Sequence, residues 1–64
     1  MANNQTEAKP KLTYSIAETA ETLGLSQPYV RRLVGEGKIA TVRFGKRVMV
    51  RRSEVERLAE EGVA

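Results

Sequence analysis

A mainly α fold with a β-hairpin is the class that the 64-residue chain predicts: helix, turn, helix, two-stranded wing, third helix. Three features predict it. Two short amphipathic stretches are separated only by Gly24-Leu25-Ser26, a helix-turn-helix connection. A β-prone run from Ile39 to Val50 is broken once by a turn around Gly45. A last apolar stripe, Val55, Leu58 and Ala59, follows Ser53 and stops at Gly62.

The first helix is expected over residues 16–23. Ser15 and Glu18 have the spacing of a capping box, in which each side chain satisfies the other residue's backbone N–H. Ile16, Ala20 and Leu23 fall on one face, and Gly24 supplies a left-handed stop. The second helix is expected over residues 27–36. Ser26 caps it, Pro28 occupies the first turn, where a missing N–H costs nothing, and Val30, Leu33 and Val34 form its buried stripe. Gly35 and Gly37 end it.

The hairpin poses a register question. A two-residue loop, Gly45-Lys46, sets Phe44 opposite Arg47 and turns Val48 and Val50 away from Val42 and Phe44. A three-residue loop, Gly45-Lys46-Arg47, sets Phe44 opposite Val48 and Val42 opposite Val50, gathering four apolar side chains on one face and Arg43 with Met49 on the other. A one-residue slip flips a whole strand, so the hydrophobic pattern selects the three-residue loop, although a leading Gly suits the shorter one. Ser53-Glu54-Val55-Glu56 reads as a second capping box opening a short third helix. The expected core is Ile16, Ala20, Leu23, Leu25, Val30, Leu33, Val34, Ile39, Val42, Phe44, Val48, Val50, Val55 and Leu58. Residues 1–12 are polar and aperiodic, hold Pro10 and read as a disordered tail, with the folded domain over 13–62.

Charge is concentrated. Eight of the eleven basic residues lie between Gln27 and Arg52, with Glu36 the one acid among them, a formal +7 within a chain of net +3. Screening confines electrostatics to about 8–10 Å at physiological salt, so a polyanion responds to this block rather than to the total. With no histidine and no cysteine, the commonest general base and the thiolate metal sites are missing, and no apolar run reaches membrane-spanning length. The expectation is a cytoplasmic, non-enzymatic protein with no metal, no cofactor, no small-molecule ligand and no membrane association, whose partner is double-stranded DNA.

A turn of about 100° per residue puts Arg31 and Arg32 on the solvent side of the second helix when Val30 and Leu33 face inward. Gln27 and Tyr29 flank them near its start. The major groove admits one helix, Arg pairs with two acceptors of guanine, and Gln pairs likewise with adenine. Ser26, Gln27, Pro28, Tyr29, Arg31 and Arg32 are thus the candidate recognition residues. Arg43, Lys46 and Arg47 are candidate wing contacts to backbone or minor groove. Lys38, Arg51 and Arg52 are candidate phosphate contacts, the last two equally readable as charge that protects a strand edge.

Leu23-Gly24-Leu25-Ser26, then Glu36-Gly37-Lys38-Ile39, then Val42-Arg43-Phe44-Gly45-Lys46-Arg47 stand in an order and spacing that resemble one group. From Tyr14 to Ala59 the chain resembles the small MerR-like winged helix-turn-helix domains of excisionases, or recombination directionality factors. Thr19 and Thr22 depart from that pattern at positions usually apolar or small, which implies looser packing of the first helix. The resemblance implies an architectural DNA-binding factor encoded by a bacterium or phage. It would bind repeated sites beside an attachment site, bend DNA and direct a phage-type integrase toward excision. It assigns Gln27, Tyr29, Arg31 and Arg32 to the recognition helix and Arg43, Lys46 and Arg47 to the wing. Full MerR-type regulators carry a long dimerisation helix that this chain leaves no room for after Ala59, so neighbouring protomers are expected in head-to-tail order on DNA. A small transcriptional regulator built on the same domain is the alternative.

Overall fold

Three helix ends closed by Gly and one Gly-led turn shape the chain. The computed structural model describes residues 11–63; the expected tail lies outside these as far as residue 10. Strand β1 (Thr13–Ser15) leads directly into α1 (Ile16–Leu23); α2 (Gln27–Gly35), β2 (Val42–Phe44), β3 (Arg47–Arg51) and α3 (Arg52–Glu61) follow. The result is a winged helix-turn-helix.

The cap of α1 forms as expected. Ser15 Oγ accepts from the Glu18 N–H at 3.0 Å, and Glu18 Oε1 accepts from the Ser15 N–H at 2.9 Å. At its other end Gly24 takes φ 73°, so that the Gly24 N–H reaches Glu21 O and the Leu25 N–H reaches Ala20 O at 2.8 Å. Gly37 (φ 77°) repeats this closure after α2, with the Lys38 N–H on Leu33 O at 2.9 Å.

The sheet has three strands, not two, in the order β1-β3-β2 with both pairings antiparallel. The sequence signal for β1 is only three residues long, and they look like a cap's lead-in. The strand forms because β3 offers its free edge to it, setting Tyr14 opposite Val50.

The wing register corrects the expectation. Val42 pairs with Met49, Arg43 with Val48 and Phe44 with Arg47, so the loop is Gly45-Lys46. Gly45 has φ 63° and no non-glycine residue among those described has positive φ, the pattern of a type II′ turn. A three-residue loop would put its left-handed residue at Arg47, at a cost of about 1–2 kcal/mol for a side chain with Cβ. The inward face is filled without β2, because Tyr14 of β1 joins Val48 and Val50. Phe44 therefore leaves the expected core and is 58% exposed, while Val42 shares its outer face with Met49. Arg43 moves to the face of Val48.

The buried core is Ala20, Val30, Leu33, Ile39, Val50, Val55 and Leu58, with Tyr14, Ile16, Leu23, Val34 and Val63 packed against it. Val42 and Val48 are half-buried. Leu25 is 38% exposed, because the residue that closes the α1 cap sits at the surface of the turn. The second capping box does not form. Strand β3 runs on to Arg51, the Arg52 N–H bonds Leu12 O at 2.9 Å, and α3 starts there with Ser53 already inside it. The box's Glu56 accepts from Arg52 Nε at 3.0 Å instead, while Glu54 accepts from the Ala40 N–H at 3.1 Å and from Arg57 at 2.7 Å, tying the segment before the wing to α3.

Thr19 is completely buried, and its Oγ1 has no hydrogen-bond partner. An unsatisfied buried hydroxyl is expensive, while an apolar group of the same shape is not. Thr19→Val is expected to raise stability by about 1 kcal/mol, read as a higher urea midpoint at unchanged slope; a lower midpoint would show that the hydroxyl is satisfied in solution.

Candidate nucleic-acid interface

The orientation of α2 follows from its buried face. Val30 is fully buried and Leu33 nearly so, leaving Gln27, Pro28, Tyr29, Arg31 and Arg32 exposed around the rest of the helix. Ser26 Oγ accepts from the Tyr29 N–H at 3.3 Å, and no acid lies in the first turn. The positive end of the helix dipole thus meets no acidic side chain in its first turn, and an anion can use the N–H groups that Ser26 leaves free.

The wing brings a second set of cations to the same side. Lys46 in the turn and Arg31 on α2 line one shallow surface depression, with Ile16, Val34 and Val48 as its floor. Arg47 opens β3 beside Lys46, and Arg43 lies on the neighbouring strand, both exposed. Arg31 of α2 and Lys46 of the wing turn therefore share one surface, while Arg43 and Arg47 point to opposite faces of the hairpin.

Ion pairing divides the candidate residues into two sets. Among the described residues, Arg31, Arg43, Lys46, Arg47 and Arg51 make no ion pair, whereas Glu36 holds Arg32 at 3.2 Å and Lys38 at 3.7 Å, and Glu56 holds Arg52 at 3.0 Å. Arg32 remains 70% exposed, and an exposed i,i+4 pair is worth only about 0.3–0.5 kcal/mol, so a phosphate or a base edge competes for it readily. Arg51 lies at the far end of β3, about 13 Å from the turn at 3.3 Å per residue, and Arg52 belongs to α3. These two are not brought together with the helix and the wing tip. Phe44 is the surface residue that the sequence reading missed; its signal was the Gly that leads a two-residue turn.

The acids work elsewhere. Hydrogen bonds from Lys11 and then from the Ser15 N–H hold the Glu18 carboxyl below the usual carboxylate range. Glu54 is held low first by Arg57, with the Ala40 N–H adding to it against the cost of burial; in return Glu54 raises the Arg57 guanidinium. Arg57 also meets Glu61 at 3.6 Å, so both cations of α3 are engaged by its own acids. Among the described residues no cluster of three or more potential ligands is placed to hold a metal ion, and no helix is long and apolar enough to cross a membrane.

Residues 13–63 match the family described as "Helix-turn-helix domain". The chain belongs to this helix-turn-helix family. The match runs from β1 to the end of α3 and includes both the helix pair and the wing. No curated protein and no solved structure gives a match. Membership of the helix-turn-helix family makes DNA binding the functional class of the domain, and α2 is the second helix of its helix-turn-helix pair.

Glu36 is the acid that restrains this surface. Glu36→Gln is expected to release Arg32 and Lys38, tighten binding to duplex DNA and steepen its salt dependence by about one to two units of slope. Fluorescence anisotropy across a salt series reads both, and unchanged affinity together with an unchanged slope would take Arg32 and Lys38 off the binding surface.

Proposed function

We propose that the protein is a sequence-specific architectural DNA-binding factor of the excisionase kind. The observation that carries the DNA-binding part is the shared depression of Arg31 and Lys46, which joins recognition helix and wing into one basic face. In this reading residues 13–62 are the DNA-binding unit. Helix α2 enters the major groove, with Gln27, Tyr29, Arg31 and Arg32 at the base edges, and Ser26 and Pro28 set the helix start beside a phosphate. Arg43, Lys46 and Arg47 of the wing meet the adjoining backbone and minor groove, and Lys38 adds a phosphate contact. Arg51 and Arg52 contribute less, given their distance from the tip and the hold of Glu56.

The excisionase part is supported by the three sequence segments around Gly24, Gly37 and Gly45 and by the size of the unit. One module of this kind covers about 600–1,000 Å² of DNA-facing surface and reads few base pairs. Selectivity then requires several copies on adjacent sites. A basic wing side and an acidic α3 end, with Glu56, Glu60 and Glu61, suit head-to-tail neighbours on one duplex. The chemistry of strand exchange belongs to the integrase, and the protein shapes the DNA on which that enzyme acts, in the bacterial cytoplasm.

A recombination assay with the cognate integrase tests the proposal. The protein is expected to stimulate excision and inhibit integration, and Arg31→Ala to lose both effects. Binding to promoter DNA with no effect on either reaction would replace this reading with that of a small transcriptional regulator.

A further inference from the structure

Phe44 is a large apolar side chain left 58% exposed at the end of the wing, opposite Arg47 and next to the turn of Gly45 and Lys46. Packing does not account for it, since the register turns it away from the side on which Val50 is fully buried. From Val42 to Arg51 the hairpin holds Arg43, Lys46, Arg47 and Arg51 and no acid, and among the described residues none of the four makes an ion pair. An exposed aromatic with uncommitted Arg47 opposite it and Lys46 in the adjoining turn suits a polyanion with an apolar interior. The depression shared by Arg31 and Lys46 sets the tip on the side of the recognition helix.

We propose that Phe44 is a minor-groove wedge: with α2 in the major groove, the wing tip enters the neighbouring minor groove, Phe44 inserts at a base step, and Arg47 and Lys46 hold the flanking phosphates. The inference deepens the DNA-binding reading of the same face and rests on it. Apolar side chains inserted at a step from the minor groove partly unstack it and kink the duplex toward the major groove. Flexible pyrimidine–purine steps are the cheapest to open, so Phe44 also selects the sequence at a position that no polar side chain reads. The wedge thus supplies the bend that a rigid basic face alone does not.

The test uses a duplex carrying one site, recovered by selection from a randomised pool. It bears 2-aminopurine at each step of the flanking minor groove in turn and a fluorophore pair at its ends. The wild-type protein is expected to brighten the base analogue at one step and to bring the ends closer. Phe44→Ala is expected to abolish both signals while changing affinity less than about tenfold, because burial of the ring and unstacking of the step offset each other. Phe44→Leu, another wedge side chain, is expected to restore them. The side chain is exposed, so circular dichroism of all three proteins should coincide. A Phe44→Ala protein that still unstacks and bends like the wild type overturns the proposal. So does one that loses only cooperativity on a multi-site fragment, which assigns Phe44 to a neighbouring copy instead. Wild-type protein that binds no selected duplex contradicts the DNA-binding reading itself, whereas binding without any brightened step contradicts the wedge alone.

Discussion

The register of β2 against β3 decides which way every wing side chain points, and Gly45 decides the register. A chain of this length buries only about 60% of the surface that it exposes when unfolded, so it has few apolar side chains to waste. Yet the wing spends Phe44, its largest, on the outside. It does so because a two-residue turn led by Gly costs little, whereas the longer loop strains Arg47. The inner face is completed by Tyr14 from the third strand. Once that register is set, Lys46 comes to Arg31, Arg43 lies beside Val48, and the outer face carries Val42, Phe44 and Met49.

The parts governed by local chemistry were legible in the sequence. The Ser15–Glu18 box, the closures at Gly24 and Gly37 and the stripe of Val30 and Leu33 each depend on residues within a few positions of one another. They set both helices and the outward aim of Arg31 and Arg32. What sequence reasoning missed depends on distant partners. Strand β1 exists because β3 has a free edge, and the second capping box fails because β3 runs on to Arg51, which places Ser53 inside α3 and leaves Glu56 to Arg52. The wing register was misread because a two-stranded hairpin needs all its apolar residues on one face and a three-stranded sheet does not. Of the candidate site, the residue types were legible, but not their sorting into paired and unpaired cations.

That sorting gives the molecule its polarity. Surface ion pairs are worth about 0–1 kcal/mol, so the pairs on α3 and around Glu36 are a minor source of stability. Their effect is on where charge remains available. On α3 Arg57 is held by Glu54 and Glu61 and Arg52 by Glu56, and Glu18 is engaged at the α1 cap. On α2 and the wing, Arg31, Arg43, Lys46 and Arg47 make no ion pair among the described residues, and Arg31 and Lys46 line one depression. The fold thus separates a scaffold helix whose cations are all paired from a helix and wing whose cations are largely unpaired among the described residues.

The central claim is that helix and wing act as one DNA surface. The most direct measurement is a two-dimensional NMR titration of the labelled protein with a short duplex. The account predicts that backbone amides of residues 26–32 and 43–48 shift together along one binding curve, while those of α3 (Arg52–Glu61) stay in place. Shifts confined to α2 with a silent wing, or shifts centred on α3, would contradict it.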